Sequence, residues 1–288
     1  MQAVTCQAGP AFRNCPAWYN PIMLVLVAVA LVPIAYGFQP SPAIGYDVEF
    51  EFSGFIPVMG GLDGNAKVGL GFEVAGAPAG KDKNPCVSCE LKAFHLTVND
   101  TEIPLPLDKV VEWFPKNTVA MTPQGKVLKT DLPDRDIPIS LPGVDVKRMP
   151  DVSFLAVEFP AEGVEVGKEW SYRKAFGAGD VAYVAKAISL DDDRVEIELK
   201  LTQSYDTLED EAKTVVKNEK DAVARVHTDM TGTGKATFDR KLGIVRAATI
   251  EGHSIGKVVD LQTKKETERK LTITVKTILR DRKAHPWK

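Results

Sequence analysis

Histidine and cysteine are scarce, four of each in 288 residues, and their placement is poor for chemistry. No second C-x-x-C accompanies Cys86-Val87-Ser88-Cys89 and no H-E-x-x-H occurs, so a zinc site has no donor set, and neither metal nor cofactor is expected. An excess of one charge is also missing. Thirty-six Lys and Arg against 39 Asp and Glu leave a formal −3, which provides no basic field for a phosphate backbone and removes nucleic acid from the expected partners. No uninterrupted apolar run reaches the ~20 residues of a membrane-spanning helix. Low-complexity tracts are absent, and 44% hydrophobic with 26% charged residues is the composition of a folded globular chain.

What is present begins with an export signal. Arg13 is the one charged residue before Asp47, and Ile22–Tyr36 is apolar apart from Pro33. As a helix this run spans about 22 Å, short of the roughly 30 Å hydrocarbon core and in the range of a signal-peptide apolar region. Residues 1–37 are therefore read as a signal peptide or an N-terminal membrane anchor. Ala35-Tyr36-Gly37 and Ser41-Pro42-Ala43 both offer small residues at the −3 and −1 positions, and the first is preferred. If the leader stays, residues 22–38 associate with the membrane. No cysteine follows the run, which argues against a lipoprotein anchor. In the oxidising compartment that export implies, Cys86 and Cys89 are expected to form a local disulfide.

The body alternates with period two, the mark of half-buried strands. Tyr46, Val48, Phe50 and Phe52 fall on one face with Asp47, Glu49 and Glu51 on the other; Val68, Leu70, Phe72 and Val74 repeat the pattern, and Phe94, Leu96 and Val98 repeat it again. A short helix is expected near 107–114, capped by Asp108 and stopped by Pro115. These elements make an N-terminal β half over 46–132. Pro133, Pro138, Pro142, Pro150 and Pro160 punctuate a connection over 133–160, with a helical turn expected around Val152–Val157. A C-terminal antiparallel meander follows over 161–282, its strands separated by GAGD, DDDR, DRKLG and QTKKET. The fold class is mainly β: a curved antiparallel sheet, half-barrel or sandwich with one or two short helices, its halves forming one domain or a duplication. MTPQGKV and FDRKLGIV echo each other as strand end, turn, glycine and β-branched restart.

Two motifs suggest catalysis and fail on context. Gly252-His253-Ser254-Ile255-Gly256 has the form of a nucleophile elbow, but that elbow needs a helix after the serine, and KVVDLQTKKETERK supplies β-branched residues and a charged turn. A serine hydrolase at Ser254, with Asp260 or Asp281 and His285 as partners, is the third reading behind two binding ones. Gly232-Thr233-Gly234-Lys235 lacks the glycine and the hydroxyl of a phosphate loop. Close strand packing or a bulge explains its glycines better. His95, His227, His253 and His285 are read as surface or hydrogen-bond-satisfied side chains.

The stretch FPAEGVEVGKEWSYR, with GTGKATFDRKLGIVRAATIEG after three strands, resembles a widespread family of secreted, β-rich bacterial proteins. Its marks are a V-x-V-G-x-x-W strand start and a G-x-G-x-x-x-F-D-x-x-x-G hairpin, and the match covers roughly residues 159–279. The resemblance implies a cell-envelope location and carries no catalytic residues. The strand-rich layout with a helix across it is similar, at the level of fold alone, to periplasmic lipoprotein carriers of the LolA type. The expectation is an exported, non-catalytic binding protein of the periplasm or cell surface, with a lipid or lipoprotein as partner. Phe50, Phe52, Phe72, Phe94, Trp170, Tyr172 and Tyr183 are the candidate apolar lining, beside Leu199, Leu201 and Ile273. The alternative is a structural or protein-interaction module.

Overall fold

A strand with one apolar face is stable only when that face is covered, and here long alternating runs pair into one surface. The computed structural model describes residues 31–56, 61–79, 83–132, 146–176 and 179–280. Most of the expected leader, including Cys6, Arg13, Cys15 and Ile22–Ala30, lies outside them, as do 133–145, Asp281 and His285.

The strands in chain order are β1 Ile44–Ile56, β2 Leu62–Ala77, β3 Cys86–Val98, β4 Thr101–Glu102, β5 Asn117–Met121, β6 Val127–Asp131, β7 Glu169–Phe176, β8 Gly179–Leu190, β9 Arg194–Glu209, β10 Val215–Val216, β11 Ala224–Asp239, β12 Ile244–Asp260 and β13 Glu266–Leu279. They form a single 13-stranded sheet in the order β6-β5-β3-β2-β1-β13-β12-β11-β9-β8-β7, with β4 on β3 and β10 on β9, and every named pair is antiparallel. The expected curved antiparallel sheet is present. Its halves are continuous, because β1 of the first pairs with β13 of the second from Tyr46↔Leu279 to Gly54↔Leu271.

Of the two short α-helices among the described residues, α1 covers Leu107–Trp113 and α2 covers Met149–Val152. Asp108 is not the cap of α1: Pro106 holds that position, and Asp108 sits in the first turn, where a carboxylate complements the helix dipole. The helical turn of the connection also comes earlier than expected. Pro150 suits the first turn of α2, and the chain then runs irregularly through Ser153–Phe159 with Phe154, Leu155, Ala156 and Val157 at 0–1% exposure.

This buried strap covers the inner face of the sheet and is held by it. Tyr172 donates its hydroxyl to the Ala156 carbonyl at 3.2 Å, and Trp170 Nε1 donates to Glu158 O at 2.8 Å. Lys174 donates to Asp151 O at 2.9 Å and to Leu155 O, and its Nζ lies 3.2 Å from Asp151 Oδ1. All three ammonium protons are used.

A second strut, Val32–Phe38, lies beside the strap. Val32 and Val164 exchange backbone hydrogen bonds of 3.0 and 2.9 Å, Tyr36 N donates to Pro123 O at 2.8 Å and Gly37 N to Gly243 O at 2.9 Å. The Tyr36 ring meets Phe38, Phe159 and Phe238 with centroids 5.9, 6.0 and 5.1 Å away. Gly125, in the β5–β6 turn, has φ +93°, and a Cβ there would stand 2.3 Å from the Tyr36 ring; Gly243, in the β11–β12 turn, has φ +66°, and a Cβ there would stand 2.5 Å from Gly37 N. The two echoed turns therefore clasp one segment although four strands separate β5 from β12 in the sheet. Only a curled sheet brings them together. The expected end of the leader at residue 37 falls inside this packed segment.

The outer face is a lattice of charge. Lys67 and Lys276 each approach both Glu49 and Glu51, at 2.6 to 3.5 Å. His227 stands 3.0 Å from Asp206 and 3.4 Å from Asp229, and His253 stands 2.9 Å from Glu251.

Candidate functional site

The inner face is covered along only part of its length. On β9 the inward residues run Val195, Ile197, Leu199, Leu201, Gln203, Tyr205, Thr207 and Glu209. The first three are sealed at 0–1% exposure, and from Leu201 onward they line a groove of about 130 Å³. Its walls come from β7, β8, β9, β11, β12 and β13, with Val152 of α2 closing one side and Phe55 of β1 at the other. Carbon dominates the floor: Phe176, Val181, Tyr183, Leu201, Val226, Met230, Ile250, Leu271, Ile273 and Val275.

Small side chains create this space. Gly252, Ser254 and Gly256 point inward from β12 and line the groove, while His253 and Ile255 point outward, as alternation requires. The G-x-S-x-G pattern thus lies in the middle of a 17-residue strand, and its physical effect is room. Ser254 donates to the Leu271 carbonyl at 3.3 Å, and His253, on the opposite face, contacts Thr272 Oγ1 at 3.1 Å. The strand separates the serine from the neighbouring histidine. Gly232 of the G-x-G-K stretch faces inward too, and a Cβ on it would meet the Glu251 carbonyl at 2.4 Å; close approach, not phosphate binding, accounts for it.

At the Phe55 end the groove turns polar. Arg269 Nη1 donates to Glu209 Oε2 at 2.7 Å, the carboxylate being 4% exposed. The Arg269 guanidinium carbon lies 4.3 Å from the Phe55 ring centroid, and Lys213 Nζ lies 5.3 Å from the same centroid. A ring flanked by two cations holds them by its quadrupole and keeps them at the mouth. Burial raises the Tyr205 hydroxyl above its ordinary range, so Tyr205 and Thr228 present neutral hydroxyls to the groove.

Of the candidate lining residues, Tyr183, Leu201 and Ile273 reach this groove. The others do not. Phe50 and Phe52 stack on each other at 6.3 Å in the core, Phe94 packs against that core partly buried, and Leu199 is sealed. Trp170 and Tyr172 hold the strap, and Phe72 faces a small hollow beside Cys89 and Phe154. A larger hollow of about 350 Å³ lies among Glu51, Lys67, Asn65 and Thr274; Glu51 and Lys67 are already paired to each other. Among the described residues no three His, Cys, Asp or Glu side chains group to hold a metal ion.

The expected disulfide is corrected as well. Cys86 and Cys89 are free, buried thiols on one extended strand, where a separation of three residues is about 10 Å and beyond the reach of a bridge. Burial pushes the Cys89 thiol up to about 12, so almost none is thiolate at neutral pH. Iodoacetamide in mildly alkaline buffer should leave both unlabelled in the folded protein and label both in guanidinium, as read by peptide mass mapping. A bridged Cys86–Cys89 peptide would overturn this.

No protein-family model matches the chain, and no curated protein matches it. Among solved structures it is similar to an outer membrane channel from Pseudomonas putida F1, at 11% identity over 88% of this chain and 98% of that one, with a TM-score of 0.17. A superposition that poor carries no argument about fold or function.

Proposed function

We propose that this chain is an exported, non-catalytic binding protein of the cell envelope that holds a single-chain amphiphile, its tail in the groove and an anionic head at Arg269 and Lys213. The carrying observation is the groove itself: a carbon-lined channel on the inner face, with cations at one end. Its volume, about 130 Å³, decides the class of ligand. That space, open along one side, suits one slender chain better than a diacyl lipid or a broad polycycle, which need several hundred Å³. Each methylene buried contributes roughly 0.8 kcal/mol, and immobilisation offsets several of them, so micromolar to millimolar affinity is expected. The head follows from charge: Arg269 and Glu209 neutralise each other, so Lys213, 5.3 Å from the Phe55 ring, supplies the net positive charge at the mouth, and Arg269 adds hydrogen-bond donors.

The outer face supports an aqueous setting for the sheet. A membrane barrel needs an outward apolar band, whereas Glu49, Glu51, Lys67 and Lys276 cluster there. Among the described residues no helix is long and apolar enough to cross a membrane. The alternative, a module that recruits a partner by adding a strand, is disfavoured at the free edges: β6 is five residues long with Lys129 and Asp131, and β7 carries Glu169 and Arg173. Short charged edges resist strand addition.

Titration calorimetry with decanoate and with decyl maltoside, which share a tail and differ in head charge, tests the proposal. Decanoate is expected to bind more tightly, and Ser254→Phe, which fills the groove, to weaken it at least about tenfold, or roughly 1.4 kcal/mol. Equal affinities would overturn the anionic head. Absence of binding by either would overturn the groove reading.

A further inference from the structure

We infer that the leader is cut after Ala30, at Ala28-Val29-Ala30, and that Leu31–Phe38 belong to the mature domain. The inference rests on the export reading above. Its first support is that Val32–Phe38 is built into the fold. Ile34 and Tyr36 are 5% and 6% exposed, the Tyr36 hydroxyl donates to Val157 O at 2.8 Å, and two glycine turns have shaped themselves to Tyr36 and Gly37. A cut after Gly37 would withdraw Tyr36 from among Phe38, Phe159 and Phe238 and leave the Val157 carbonyl without its donor. Proteins do not leave aromatic-sized voids of this kind without large loss of stability.

The second support is the sequence directly upstream. Ala28 and Ala30 supply small residues at −3 and −1, directly after the apolar stretch Pro21–Val27, whose length is at the lower end of the ~7–15 residues of a signal-peptide apolar region. Leu31, the residue after the cut, is 38% exposed, so the new amino terminus emerges at the domain surface. The step is a peptide hydrolysis by a membrane signal peptidase. The Ala30 C–Leu31 N bond breaks, and water supplies the hydroxyl to the Ala30 carbonyl and the proton to the Leu31 amine. The two leader cysteines, Cys6 and Cys15, depart with the cleaved peptide. The mature chain then holds Cys86 and Cys89 alone.

Expression of the full chain in an exporting bacterium, fractionation and intact mass measurement test this. The expected mass is that of residues 31–288 in the exported fraction, and Ala30→Leu should abolish that species. A mass starting at Phe38 would overturn the inference and leave export standing. A full-length chain in the membrane fraction would overturn it in favour of an anchor. A full-length chain confined to the cytoplasm would overturn it together with the export reading.

Discussion

A chain beginning at Phe38 is expected to lose cooperative folding or to melt more than ~10 °C below one beginning at Leu31. The two differ by seven residues of which two, Ile34 and Tyr36, are core side chains at 5% and 6% exposure. Removing a buried isoleucine costs about 2–5 kcal/mol and a buried aromatic about 3–5, against a total stability of roughly 5–15 kcal/mol. The backbone adds to this. Pro123 O, Gly243 O and Val164 each lose a partner, and carbonyls facing a void must recruit water to recover. At roughly 2–4 °C per kcal/mol for a domain near this size, the low end of the side-chain loss alone shifts the melt by about 10 °C, and the lost backbone bonds add to it. Circular dichroism melts of both chains, expressed without a leader, decide it. Equal midpoints would mean that the strut is dispensable. Tyr36→Phe keeps the ring and removes the hydroxyl, so it should cost only about 1–3 kcal/mol and isolates the Val157 bond from the packing.

The strut escaped the sequence reading for a physical reason, and so did the strap. Alternation detects an element that is wet on one side, and it placed Tyr46, Val48, Phe50 and Phe52 inward, where they lie at 0–5% exposure. Phe154, Leu155, Ala156 and Val157 are enclosed on every side and show no period at all. Prolines on both sides of that run pointed to a connection between the halves with a helical turn in it, not to a buried strap. In the strut, apolar residues continued the leader and were absorbed into it. On β3 the alternation changes phase: Val87, Cys89 and Leu91 are buried, then a bulge opposite Gly71 and Phe72 leaves Lys92 with no register partner on β2, and Phe94 takes up the inner face. A single extra residue reverses every later side chain, and nothing local announces it. The groove was half legible. Leu201, Ile273 and Tyr183 were in view, but groove and core use the same residue types, and what separates them is where the strap stops covering β9. The usable signal was Gly252, Ser254 and Gly256, small residues at alternate positions, which mark space on one face of a strand.

Asp151→Ala should be the most destabilising single substitution outside the strut, by about 3–5 kcal/mol, because it strands the buried Lys174 ammonium. The two side chains are 3% and 2% exposed and 3.2 Å apart, with Arg148 Nη1 3.5 Å from the other Asp151 oxygen. Lys174 lies over the stacked Tyr172 and Tyr183 rings at 5.8 and 5.9 Å, so its surroundings offer no water to replace the carboxylate. Replacing both partners removes the charge altogether, and Asp151→Leu with Lys174→Met should recover part of the loss, although Asp151 O and Leu155 O then lack their donor. Urea midpoints for the two single variants and the double give the coupling, expected at 2 kcal/mol or more. The sign with pH follows from burial, which lowers the Lys174 ammonium below its ordinary 10.5 while Asp151 opposes the shift. An unfolded chain therefore binds the proton more tightly than the folded one, and stability falls as pH drops from about 10.5 through the folded value. Asp151→Asn deletes the opposing charge, pushes the folded value further down and widens that window toward neutrality. Raising the pH from 7 toward 10 should then stabilise Asp151→Asn more than the native chain. Identical pH profiles would show that the carboxylate does not compensate the ammonium, and that the carbonyls of the strap alone hold Lys174 in place.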